Sequence, residues 1–188
     1  MKDDNTQPNL IDSADSTDQF ERASLASKED SESRRAAFGM GCFWHSEESF
    51  REQEGVLDTA VGFMGGEGVA PSYEEIFERE TGFAEVVYMK YDPNKVSYEA
   101  LLKIFWENHN PTQLNRQGPD IGTQYRSAIF YYSDEQKTAA EKTKDELKKS
   151  GTWVHPIVTE IVPALDFYKA EDYHQKYLQK RGQKTCHT

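Results

Sequence analysis

At 188 residues the chain is long enough for one domain with a real core and some excess. Its formal net charge of −11 argues against nucleic-acid backbones and anionic membrane surfaces as partners, because both would repel it. No apolar run is long enough to span a bilayer and no basic start leads into an apolar segment, so a cytoplasmic protein is expected.

Residues 1–33 are almost all polar or acidic, with Phe20 as the sole aromatic, and cannot bury enough surface to offset their ordering entropy. A disordered acidic arm is expected there, and its many acids count against a transit peptide. Residues 34–188 then form one domain. Ala36-Ala37-Phe38 suits a strand, and His45 to Glu54 is rich in helix formers, with Phe43 and Phe50 at i, i+7. Cys42 therefore falls at a helix N-terminus, where unpaired N–H groups and the positive end of the dipole favour a thiolate. The alternative is a buried, inert cysteine packed as a small hydrophobe.

Val56 to Met64 contains a β-like segment, followed by a loop punctuated by Gly65, Gly66 and Gly68. A phosphate cradle is excluded, because Gly-Gly-Glu-Gly matches neither the dinucleotide fingerprint nor the P-loop and its Glu would repel phosphate. Ser72 with Glu75 forms a capping box that opens a short helix carrying Ile76 and Phe77. Phe83 to Tyr91 reads as a strand in which Glu85 shares a face with Phe83, Val87, Met89 and Tyr91. If that face is covered, desolvation raises the carboxyl pKa and Glu85 becomes a neutral acid; the alternative is an edge-strand Glu open to water.

Ser97 to Asn108 has the spacing of an amphipathic helix, and Asn110 to Gly122 is a polar loop that brings Asp120 close to a central strand from Tyr125 to Tyr132. Ser133 to Gln136 is a capping box for a charged helix ending at Ser150-Gly151. A strand follows from Ile157 to Val162, then a helix from Glu171 to Lys180 and a long coil-like tail that carries Cys186. About five strands and about five helices in irregular alternation indicate a two-layer α+β domain.

Two cysteines so far apart do not make a disulfide framework, which favours redox chemistry. Cys42 with His109, His155 or His174 could make a cysteine hydrolase, and Cys42 with Cys186 a regulatory thiol switch. No compact ligand spacing points to a metal. A thiol, a neutral acid, tyrosine hydroxyls and a distant second thiol suit another reaction: proton delivery to a departing oxygen, then clearance of a sulfenic acid as a disulfide.

Gly-Cys-Phe-Trp at Gly41 to Trp44, Pro71-Ser72-Tyr73-Glu74, Ala84-Glu85-Val86-Val87, Phe105-Trp106-Glu107-Asn108-His109, Gly122-Thr123-Gln124-Tyr125-Arg126-Ser127 and Glu171-Asp172-Tyr173-His174-Gln175 run in that order. Together they resemble the A-type peptide methionine sulfoxide reductases from about residue 36 to the C-terminus. The resemblance implies an α+β fold with a central mixed β-sheet and the reactive Cys at a helix start. It implies that Cys42 attacks the sulfur of methionine S-sulfoxide, that Phe43 and Trp44 form an apolar pocket for the methyl group, and that Glu85 protonates the oxygen. Tyr73 and Tyr125 would hydrogen-bond that oxygen, with Asp120 organising the polar side through water. Cys186 would attack the Cys42 sulfenic acid, giving a disulfide reduced by thioredoxin. The expected enzyme is a monomer without metal or bound cofactor that repairs oxidised proteins and also takes free methionine sulfoxide. His45, Phe83 and Pro119 depart from the family pattern, which usually has Gly, His and Asn at these places.

Overall fold

The computed structural model describes residues 34–68, 72–78 and 80–185, so the expected acidic arm (residues 1–33) and Cys186 lie outside the described residues. The central strand β1 (Arg34–Met40) is buried from Ala36 onward. It pairs antiparallel with β3 (Ala84–Tyr91) on one side and with β6 (Ser127–Tyr131) on the other. Beyond β3 come β2 (Val56–Met64) and the two-residue β8 (Tyr168–Lys169), both antiparallel. Beyond β6 comes β7 (Glu160–Pro163), which runs parallel to it. The sheet order is therefore β7-β6-β1-β3-β2-β8, and the sheet is mixed.

Helices cover one face. These are α1 (Phe43–Arg51), α3 (Tyr98–Glu107) and α4 (Asp134–Ser150), with α2 (Tyr73–Glu78) and α5 (Tyr177–Arg181) nearer the sheet end that carries β2 and β8. Phe38 is the centre of this layer, its ring 5.4 Å from that of Phe50 on α1 and 5.3 Å from that of Phe105 on α3. Leu101, Leu102, Val87, Met89 and Ile129 fill the space around them. Burying one such side chain contributes about 1.5–3 kcal/mol. The opposite sheet face, with Ala37, Val86, Ala128 and Phe130, is covered by the coil that carries Ala164 and Phe167.

The helix starts follow their local chemistry. Ser97 Oγ accepts from Ala100 N–H at 3.1 Å, and Ser72 and Glu75 bond reciprocally, as a capping box requires. At Ser133 only half of the expected box forms. Ser133 Oγ accepts from Gln136 N–H, but the Gln136 amide leaves the helix end to join Tyr132 N–H to the Arg35 carbonyl, tying α4 to β1. Gly151 ends α4 at φ 69°, as expected for a left-handed C-terminal residue.

Four expectations need correction. The strand expected from Tyr125 begins at Ser127, because Thr123–Tyr125 is a 3-10 turn closed by Arg126 N–H on the Thr123 carbonyl. The strand expected from Ile157 begins at Glu160; Val158 N–H is already taken by the Pro111 carbonyl. The helix expected over Glu171–Lys180 exists only from Tyr177. His174 and Gln175 are drawn into the core, and Lys176 adopts φ 53° while its N–H donates to the buried Glu47 carboxylate at 2.6 Å. Among the described residues the strands number eight and not five, since β4 (Arg116–Gln117), β5 (Asp120–Ile121) and β8 are two-residue pairings with no periodicity to read.

Candidate active site

The chain leaves β1 through Gly41, whose φ of 91° favours glycine and whose absent Cβ would lie 2.6 Å from the Gln117 side chain. This turn aims the next residue, Cys42, at the N-cap position of α1. Its carbonyl already serves the helix, accepting from Ser46 N–H at 3.2 Å and Ser46 Oγ at 3.1 Å. The thiol thus stands at the positive end of the helix dipole.

Beneath it, the first free N–H of the helix, that of Phe43, donates to Glu85 Oε2 at 2.9 Å. Glu85 is 2% exposed, so the face it shares with Val87 and Met89 is covered. Burial pushes its carboxyl well above the usual range; the negative charges of Cys42 and Asp120 add to this, and the Phe43 N–H opposes it. One neutral hydrogen bond does not offset removal of a carboxylate from water, and the neutral acid is the stable form. Burial also raises the Tyr73 and Tyr125 hydroxyls, and Glu85, Cys42 and Asp120, in their ionised forms, add to the shift in both. Both phenols therefore stay protonated donors. Cys42, Tyr73, Glu85 and the run that carries Asp120 and Tyr125, four separate stretches of chain, are brought into one electrostatic cluster.

Phe43 and Trp44 are placed differently. Phe43 is 1% exposed, locked against Phe63 at 5.7 Å and stacked with Tyr73 at 6.2 Å, so it forms the floor of the site with little open surface of its own. Trp44 is half-buried. Its Nε1–H donates to His174 Nδ1 at 3.1 Å, and its ring stacks on Tyr177 at 3.9 Å and 9°. The Arg181 guanidinium sits 4.2 Å over the Tyr177 ring. His174 is kept neutral chiefly by burial, and because Nδ1 accepts, its proton is on Nε2, 3.8 Å from the Glu171 carboxylate.

The other side of Cys42 opens into a cavity of about 250 Å³ lined by Met40, His45, Asn108, Pro119, Asp120 and Thr185 among others. Two of the positions that depart from the family pattern, His45 and Pro119, thus border the reactive thiol. The third, Phe83, lies against Gly66 and meets Tyr168 edge-on at 5.6 Å, away from this cavity. Of the imidazoles considered for a hydrolase, His174 bonds to Trp44 and the other two lie elsewhere. His109 is buried between the Phe105 carbonyl at 2.6 Å and Ser127 Oγ at 2.7 Å, and His155 lies exposed near Trp153.

The sequence model of the peptide methionine sulfoxide reductase family matches residues 34–188. The chain belongs to that family. It is 55% identical over 152 residues to a peptide methionine sulfoxide reductase MsrA of Geobacter sulfurreducens, covering 81% of this chain and 94% of the relative. Reduced Mxr1 from Saccharomyces cerevisiae superposes with a TM-score of 0.76 at 35% identity, covering 81% of this chain and 88% of Mxr1. Mxr1 in complex with Trx2 gives a TM-score of 0.57 at 27% identity, over 78% of this chain and 86% of that one. The chain is therefore an A-type peptide methionine sulfoxide reductase.

Several groups that shape the reductase site escaped the sequence reading. Tyr177 braces Trp44 through a segment that the pattern assigned to an ordinary helix, and His174, considered there only as a partner for the thiol, bonds to the Trp44 ring instead. Glu47, 1% exposed, accepts from Thr59 Oγ1 at 2.9 Å and from Lys176 N–H, fixing α1 to the segment that follows β8. A carboxylate five residues past the N-cap of α1 among other acids carries no signal of burial in the sequence.

Proposed function

We propose that the reductase acts on the S epimer of methionine sulfoxide, free and protein-bound, through a sulfenic acid on Cys42 that Cys186 resolves. The observation that carries this reading is the buried Glu85 carboxyl that accepts a hydrogen bond from the helix start whose N-cap is the thiol. The Cys42 sulfur attacks the sulfoxide sulfur, and Glu85 protonates the oxygen, which makes it able to leave. The Tyr73 and Tyr125 hydroxyls hydrogen-bond that oxygen, with Asp120 organising nearby water, while Phe43 and Trp44 supply the apolar side that holds the methyl group.

The protonated oxygen leaves the substrate sulfur as hydroxide and bonds to the Cys42 sulfur, while the transient bond between the two sulfurs breaks with its electron pair to methionine. Methionine sulfur gains two electrons and the Cys42 sulfur loses two, becoming a sulfenic acid. The Cys186 thiolate then attacks Cys42: a sulfur–sulfur bond forms, the sulfur–oxygen bond breaks, and the oxygen leaves as water. A thioredoxin dithiol reduces the disulfide, a step supported by the relative solved with Trx2. Residues 34–188 are the catalytic domain and residues 1–33 a separate acidic arm; the enzyme works as a monomer in the cytoplasm on oxidised proteins. In an assay with each epimer and dithiothreitol, the S epimer should be consumed. Consumption of the R epimer alone, or of neither, would rule this out.

A further inference from the structure

We propose that Lys184, held between Glu48 and Glu52 on α1, is a positioning residue that tethers the C-terminal segment and sets how fast Cys186 closes on Cys42. This rests on the recycling role given to Cys186 above. Lys184 Nζ lies 3.0 Å from Glu48 Oε1 and 2.9 Å from Glu52 Oε2. The two carboxylates are at i, i+4, so they share one side of α1 and present a two-pronged seat. Glu48 is itself fixed, because its side chain is 7% exposed and Arg51 Nη2 donates to its Oε1 at 2.8 Å. The lysine thus meets an anchored acceptor on the body of the domain.

The direction of the chain gives the contact its consequence. Cys42 caps the N-terminus of α1 and Glu52 follows its last turn, so Lys184 grips the C-terminal half of the helix. The next residue, Thr185, already lines the Cys42 cavity beside His45. Cys186 follows Thr185 by one 3.8 Å step, and a disulfide needs Cα atoms within about 4.4–6.8 Å of each other. Upstream, Gly182 ends α5 at φ 64°, so only Gln183 separates the end of that cap from the tethered lysine.

An exposed ion pair adds little to global stability, but this one adds a side-chain link to the body of the domain beyond the Gln183 N–H that donates to the Leu178 carbonyl, and so acts on how the segment after it is held. It raises the effective concentration of the second thiol near the first. Removing it should slow disulfide closure about three- to tenfold. The attraction is also screened, since the Debye length falls from about 10 Å at 0.1 M salt to about 3 Å at 1 M.

The test uses the full chain and excess methionine S-sulfoxide without thioredoxin. Rapid quenching resolves methionine release from loss of the Cys186 thiol, read by alkylation and mass spectrometry. For Lys184→Gln, the first methionine should appear at the wild-type rate while closure slows three- to tenfold and loses its salt dependence; Lys184→Arg should restore both. Closure by Lys184→Gln at the wild-type rate and salt dependence would overturn the tether. The parent reading is checked separately with Cys186→Ser: undiminished thioredoxin-driven turnover would remove Cys186 from recycling, whereas arrest after one methionine places any failure with Lys184 alone.

Discussion

Replacing Glu85 by Gln isolates the proton from the shape. The amide oxygen still accepts from Phe43 N–H at the 2.9 Å position, so the helix start and Cys42 keep their places. What is lost is an acid that is neutral because it is buried and faces the charges of Cys42 and Asp120. Loss of a general acid slows the step it serves by about 10²-fold or more, equivalent to about 2.7 kcal/mol of barrier. Single-turnover methionine release by rapid quench across a pH series is the assay. In the wild type the rate should fall on the alkaline side as Glu85 ionises, and in Glu85→Gln that limb should flatten. Stability reports the same proton independently. Above the ordinary carboxyl value of 4.5 the unfolded chain loses it while the folded protein keeps it, so stability declines as pH rises toward the elevated folded value. The slope reaches about 1.4 kcal/mol for each pH unit, and the Gln variant lacks it. A near-normal first turnover in folded Glu85→Gln, or an alkaline limb that survives the substitution, would refute the reasoning.

His109 should make the reductase acid-sensitive. Burial lowers its imidazole from 6.5 to about 4, so the unfolded chain takes up a proton that the fold refuses, and stability is lost as pH falls from 6.5 to 4. At about 1.4 kcal/mol for each pH unit the loss approaches 3 kcal/mol, and urea melts of His109→Gln at several pH values should show a shallower decline. Gly41→Ala should lower stability by about 2 kcal/mol or more, combining a positive φ with a contact on Gln117, and should slow the first turnover by tilting Cys42. An unchanged urea midpoint would show that the turn tolerates a side chain.

The sequence was most legible where chemistry is local. Ser97, Ser72 with Glu75, and Gly151 mark helix ends through groups within a few residues, and the period of two in Phe83–Tyr91 placed Glu85 on the face that proves covered. The α+β class with a central mixed sheet also agrees with the motifs. Glu171–Lys180 misled because its residues suit a helix, yet their best partners lie on other elements: Trp44 for His174, Val61 for Gln175 and Glu47 for Lys176. Local propensity is worth tenths of a kcal/mol per residue, and buried hydrogen bonds to charged groups are worth more. The near-complete burial of Phe43 was not legible for a related reason: only packing against Phe63 and Tyr73 shows how much of the ring is left uncovered.

The Gln175 amide offers one more lesson. Its Oε1 accepts from Val61 N–H at 2.8 Å and its Nε2 donates to the Val61 carbonyl at 2.9 Å, so a side chain impersonates one residue of a neighbouring strand where β8 is too short to continue. Open strand edges recruit foreign backbone. An enzyme whose proposed clients are oxidation-damaged chains would be prone to capture along such an edge, and Gln175 closes this part of it.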